Sequence, residues 1–267
     1  MMVSHNSLEE TNNGKSMNLS LDGIPESTKE ELLNPPAKLL GQAMSGIIHA
    51  VFDPLIKFNI VRDQQLKDFE KKVQSGTNEI PEENRDDSKI GLALKALEES
   101  KYQLDSEELR EMFANLISST VDNRKNDSVQ PSFSSVLKDL SPLDANLIKL
   151  FAGENHVPLV SIRIQDDNGT GTEFNSNTLI FDDDIIENEL SLFSLERLGL
   201  VMLNPTSELK SKNNQEKYQN FENHPSYSSL EQMLPIDSGE FVFTQISLNK
   251  GTAGLTPYGI AFVSCII

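Results

Sequence analysis

The period of the hydrophobic pattern changes once along this chain, and that change limits the folds open to it. Up to Gly153 the apolar side chains recur at helical spacing. Beyond it, Val160, Ile162 and Ile164 alternate strictly with Ser161 and Arg163, the spacing of a half-buried strand. The pattern predicts a mainly α chain with a helical N-terminal domain and an α+β C-terminal module. With 267 residues there is enough chain for a sizeable core. Residues 1–26 are rich in Asn, Ser and Glu, too polar to offset the entropy of ordering, and read as a flexible tail. Residues 27–140 read as the helical domain and 141–267 as the α+β domain.

Within the helical domain, Asn34-Pro35-Pro36 separates two short helices, because the residue before proline is pushed out of the helical region while proline suits a first turn. Pro54 punctuates again. Leu55, Phe58, Val61, Leu66, Phe69 and Val73 then predict an amphipathic helix, closed by a Ser75-Gly76-Thr77-Asn78 turn. The strongest helical signal follows Asp105-Ser106-Glu107-Glu108, where a capping box precedes Leu109, Met112, Phe113, Leu116 and Ile117 on one face. A short helix is expected around Phe133 to Leu140. At the domain join, Ser141-Pro142-Leu143-Asp144 supplies a cap, an N1 proline and an acidic N3 residue. Leu143, Leu147, Leu150 and Phe151 give the next helix a buried face. The corner is too tight for a flexible linker, so the two regions are expected to pack as one body.

In the second region, Asp166 to Gly169 carries turn chemistry after the first strand, and Gly169-Thr170-Gly171 reads as a hairpin tip. A helix is expected over 185–198, capped by Asp182-Asp183-Asp184 and ended by Gly199, with a short strand over 200–203. Residues 204–234 read as polar and irregular with some helical potential. A second β segment spans 240–248, Asn249-Lys250-Gly251 reads as its turn, and Thr256-Pro257 opens a last helix with Tyr258, Phe262, Cys265 and Ile266 on one side.

Charge narrows the partners. The chain has 23 Lys+Arg against 41 Asp+Glu, a formal net charge of −18, which opposes binding that relies on counterion release from phosphates. From Ser141 onward the count is 7 Lys+Arg against 17 Asp+Glu. Nucleic acid is therefore a poor partner.

Little catalytic chemistry is written in the residues. Gly14-Lys15-Ser16 lacks the earlier glycine and strand of a phosphate loop. The four histidines, His5, His49, His156 and His224, stand apart with no second ligand at metal spacing, and His49 is expected in the core. Asp182 to Asp184 suits a helix cap better than a cation site. Cys265 is alone and apolar in context, so it reads as a small core residue in a reducing compartment. No catalytic residue, metal or cofactor is expected. The N-terminus has no apolar secretory core, and the apolar run Leu39 to Phe52 is too short to span a bilayer. That run nevertheless forms a wide apolar face containing Leu40, Met44, Ile47, Ile48 and Phe52. A buried core helix is the favoured reading, and contact with a partner or a membrane surface is the alternative.

The helix ending in Leu195-Glu196-Arg197-Leu198-Gly199-Leu200-Val201 and the stretch Leu255-Thr256-Pro257-Tyr258-Gly259 give the second region a resemblance to a winged helix-turn-helix. Its candidate surface residues are Glu187, Glu189, Ser194 and Arg197. With Glu196 added, three acids stand against Arg197 alone, which suits protein contact better than a DNA groove. More broadly, Asn34 to Lys38, Asp53-Pro54-Leu55, Glu108 to Ile117, Pro131-Ser132-Phe133 and Leu137 to Ala145, together with the two stretches above, make the chain similar to the bacterial abortive infection alpha family. That resemblance implies phage defence by arrest or death of the infected cell, and it brings no established catalytic residues. The expectation is a cytoplasmic, non-enzymatic protein that docks a protein partner or another copy of itself, with peripheral contact to the inner membrane through residues 39–52 as the alternative location. A winged-helix transcription regulator is the alternative.

Overall fold

The computed structural model describes residues 40–57, 63–154, 156–182 and 184–267. The expected tail at 1–26, the helices around Asn34-Pro35-Pro36, and Phe58 and Val61 lie outside the described residues. Helix α1 is Leu40–Lys57 and runs through position 54 without a break. Helix α2 is Asp63–Asn78, so the expected turn at Ser75 to Asn78 is helical instead. Its glycine serves close packing: a Cβ at Gly76 would lie 2.5 Å from Ser118 Oγ. The buried Thr77 hydroxyl is satisfied within the helix by donating to Val73 O at 2.8 Å.

Helix α3, Ile90–Glu99, leads to α4, Glu107–Thr120. Ser106 caps α4 by accepting from Leu109 N, and Leu109, Met112, Phe113, Leu116 and Ile117 are all buried. Ala114, Ser118 and Thr120 are buried as well, so α4 is covered on more than its apolar stripe and forms the centre of the helical part. After α5, Phe133–Lys138, the capping box at Ser141 and Asp144 starts α6, Pro142–Gly153. Leu147 and Phe151 are buried there, whereas Leu143 is exposed, the first turn of α6 burying Asp144 and Ala145 instead.

The strands of the second part are β1, His156–Gln165; β2, Gly171–Ile180; β3, Ile185–Ile186; β4, Val201–Asn204; β5, Ile236–Asp237; β6, Val242–Phe243; and β7, Gln245–Leu255. They form an antiparallel sheet in the order β3-β2-β1-β7-β4, with β5 and β6 as a separate pair. Contrary to the half-buried expectation, β1 is covered on both faces from Val157 to Ile162. Val157 and Leu159 face the main core, while Val160, Ile162 and Ile164 face a second one with Tyr218, Phe221, Leu230 and Phe243. That second core exists because 204–234 is not merely irregular: it holds α8, Lys212–Phe221, and α9, Pro225–Gln232, whose few apolar side chains cap the sheet. The turn expected at Asn249 to Gly251 is strand, with Asn249 opposite Ser161 and Gly251 opposite Leu159.

Helix α7 is Glu189–Arg197, shorter than expected, since Ile185 and Ile186 pair with Ile180 and Leu179 as β3. Its cap is Asn188 rather than the aspartates, and Gly199 adopts φ 73° just past its end. The last helix, α10, is Pro257–Ile266, with Thr256 accepting from Gly259 N at 2.9 Å. It packs back on α4 and α6. The main apolar cluster consequently runs from Met44 to Ile266 without a gap at 140/141. The fold is an α+β mix with its helical part first.

Candidate interaction surface

Helix α7 is fixed from beneath. Ser191, Leu192 and Leu195 are buried, and Ser194 Oγ donates to Asp144 Oδ2 at 3.2 Å. Ser194 is therefore turned inward and is not the surface donor expected of it. Asp144 is itself held in the capping box, accepting from Ser141 N at 2.9 Å while Asp144 N donates to Ser141 Oγ at 3.1 Å. At the other end of α7, Thr256 N donates to Leu200 O at 3.0 Å, and a Cβ at Gly259 would come within 2.0 Å of the same carbonyl oxygen. Only glycine lets α10 start so close to that chain segment.

The far end of α10 is seated in the helical part. Asn115 Nδ2 donates to Ile266 O at 3.0 Å, Ser119 Oγ donates to Cys265 O at 2.9 Å, and Lys125 Nζ donates to Ser264 O. These side chains satisfy carbonyls that a helix end leaves unpaired. They also border a cleft of about 270 Å³ with Arg124 and Cys265 in its lining. Arg124 is engaged by Asp122 at 2.6 Å, and its hydrogen bonds hold the Asp122 carboxyl below the usual range. Burial pushes the Cys265 thiol up, away from the thiolate form needed for attack. The last helix thus forms one wall of this cleft, with α2 and α4 forming others.

The outward face of α7 is different. Leu190 is 84% exposed and Phe193, three residues on, is exposed too, with Arg197 one further turn along. Glu189 and Glu196 flank this stripe, half-buried. Glu187 is exposed just before the helix and accepts from Ser226 Oγ. The charged residues of this face are among those expected from the sequence, whereas Leu190 and Phe193 are not. The signal was present: Leu190 and Phe193 fall on the opposite side of the helical wheel from Leu192 and Leu195.

The other expected surface is corrected. Met44, Ile47, Ile48 and Phe52 are each 0% exposed, with Phe52 edge-on to Phe69 at 6.0 Å between ring centroids, because α1 lays that face against α2 and the core. They offer no contact surface in this fold. The Leu40 side chain lies outside the described residues. No helix among the described residues is long and apolar enough to cross a membrane. His49, expected inside, is exposed and meets Glu70 at 3.5 Å.

Of the acidic triplet, Asp182 pairs with Lys217 at 2.8 Å, and Lys217 also meets Glu154 at 2.9 Å. The Lys217 bond holds Asp182 below its ordinary range. Burial would lower Lys217, but its two carboxylate partners hold it above its ordinary value. Asp183 lies outside the described residues. Among the described residues, no three His, Cys, Asp or Glu side chains are grouped to hold a metal ion. A cleft of about 370 Å³ beside Asp182 and Phe181 is bordered by His224, whose ring stacks on Phe221 at 5.2 Å and whose Nδ1 accepts from Ser226 N.

Together these features define a class: an α+β protein in which a helical part and a sheet-bearing part share one core and are pinned by capping contacts at α6, α7 and α10. The family model for abortive infection alpha matches residues 61–266, and the chain belongs to that family. The family's name suggests abortive infection, a form of phage defence. The match starts at 61, so Asn34 to Lys38 and Asp53-Pro54-Leu55 fall before it. The later stretches of resemblance meet one another in space: Asn115 reaches α10, Asp144 reaches α7, and Gly259 abuts Leu200. No curated protein matches the chain. One solved structure, an uncharacterized protein from the hydrocarbon-degrading marine bacterium Alcanivorax borkumensis SK2, is similar at 14% identity with a TM-score of 0.30, over 54% of this chain and 94% of that one. A score that low carries no functional argument.

Proposed function

We propose that this protein serves abortive-infection defence in the cytoplasm by docking another protein, without catalysis, and that the outer face of α7 is its contact surface. The observation that carries this reading is the Leu190 and Phe193 stripe: two large apolar side chains presented on one side of a helix whose other side is anchored. Apolar anchors on a rigid element are what protein contacts use, because burying them supplies affinity at little ordering cost. We read α7 with the β4 and β7 pair as winged-helix-like, with the helix turned to protein contact. A groove-reading role would bring Glu187, Glu189 and Glu196 toward phosphates with Arg197 as the sole cation on the helix, an arrangement that costs rather than contributes affinity.

Two measurements test the reading. Expression in a susceptible host should lower phage titre together with survival of the infected cells, and no change over a broad phage panel would contradict the defence role. At low salt, where electrostatic attraction to DNA is strongest, duplex DNA should bind weakly and without sequence preference. Tight, sequence-selective binding would establish the transcription-regulator alternative instead.

A further inference from the structure

The contact surface on α7 also carries information about what covers it. Leu190, Phe193 and Arg197 follow the three-then-four spacing of a helical seam, and Glu189 and Glu196 occupy the same flanking position one heptad apart. Such flanking positions choose partners by charge. We infer that the occupant is an amphipathic helix of another protein whose apolar residues meet Leu190 and Phe193 and whose own flanks carry Lys or Arg opposite Glu189 and Glu196. This rests on the docking role proposed above and adds the chemistry of the partner.

Charge complementarity separates this occupant from the others. A second copy laid antiparallel would set Glu189 against Glu196, and one laid parallel would set Arg197 against Arg197; both orientations put like charges together in the seam. An anionic membrane or a nucleic acid meets the same two flanking glutamates, Glu187 at the helix entry, and a region with 17 Asp+Glu against 7 Lys+Arg. A cationic amphipathic helix satisfies both features at once. The apolar stripe supplies anchoring, and the glutamates supply register and selectivity.

The test uses the full chain and two synthetic helical peptides with identical Leu and Phe anchors, one flanked by Lys and the other by Glu, titrated by fluorescence anisotropy. The Lys peptide should bind at least about tenfold more tightly than the Glu peptide. A Leu190→Ser, Phe193→Ser double variant keeps every charge, so it should weaken the Lys peptide by about tenfold or more if the peptide sits on this face. Glu189→Gln with Glu196→Gln should instead narrow the difference between the peptides. Equal binding of the two peptides, or Lys-peptide binding indifferent to the double serine variant, overturns the inference; the second result marks general attraction to an acidic protein. A dimer in light scattering that the serine variant dissolves overturns it in favour of self-association. If the peptides are not distinguished while the serine variant still loses phage protection, the docking role stands and the partner chemistry falls. If protection survives the serine substitutions, the docking role itself falls.

Discussion

Gly259 shows what one residue decides in this molecule. The missing side chain lets Thr256 bond the Leu200 carbonyl region and sets where α10 begins, since a Cβ there would sit 2.0 Å from a backbone oxygen. Gly259→Ala should therefore lower stability by about 3 kcal/mol, at the upper end of overpacking costs; an unchanged denaturant midpoint would contradict this close approach. A second residue-scale expectation concerns acid. Hydrogen bonds from Arg124 hold the Asp122 carboxyl below its ordinary value, so the pair's contribution is present above the unfolded carboxylate pKa of about 4 and is lost as pH falls through the folded value. The stability gap between wild type and Arg124→Ala should be full at neutral pH and close on acidification. A gap that widens in acid would reverse the assignment. Caps were largely legible in the sequence at this scale, because a cap depends on neighbours a few residues away. Ser141 and Thr256 act as expected, and α4 starts within its expected stretch, although Ser106 caps it with Leu109 at N3, so that no capping box forms. Leu143 and Leu190 were not, since which side of a helix is covered depends on packing between distant segments.

Among the elements, α7 and α6 are joined through Asp144, which serves the α6 capping box and also accepts from Ser194. Removing Ser194's hydroxyl deletes one bond, whereas removing the carboxylate deletes both. Asp144→Ala should cost about 2 kcal/mol and Ser194→Ala about 1 kcal/mol by chemical denaturation; equal losses would show that the two roles are not shared by one side chain. The misread elements have a common cause. Ser75-Gly76-Thr77-Asn78 and Asn249-Lys250-Gly251 carry turn residues, yet each glycine lies where α2 or β7 packs closely on a neighbour, and tertiary contact overrides local preference. Helices α8 and α9 were only partly legible because their buried positions are few, chiefly Tyr218, Phe221 and Leu230. The apolar face of α1 was legible as a helix, and its burial removes the residues on which a membrane contact would rest.

Across the whole molecule, the change of hydrophobic period correctly separates a helical part from a sheet-bearing one, but it does not mark a break in the core. Phe133 of the first part lies edge-on to Phe262 of the second at 5.2 Å, and α10 ends among Asn115, Ser119 and Lys125. The chain should accordingly unfold in one calorimetric transition; two separated transitions would show that the parts are stable independently. The net charge of −18 fits the same picture at long range, since it repels polyanions and leaves cationic protein surfaces as favoured company. The exposed stripe of α7 is the proposed working surface. The direct measurement is phage plating efficiency on cells expressing wild type or the Leu190→Ser, Phe193→Ser variant, with thermal melts of both proteins. Protection lost by at least about tenfold with an unchanged melt is the predicted result. Full protection by a variant that melts like wild type would contradict the claim.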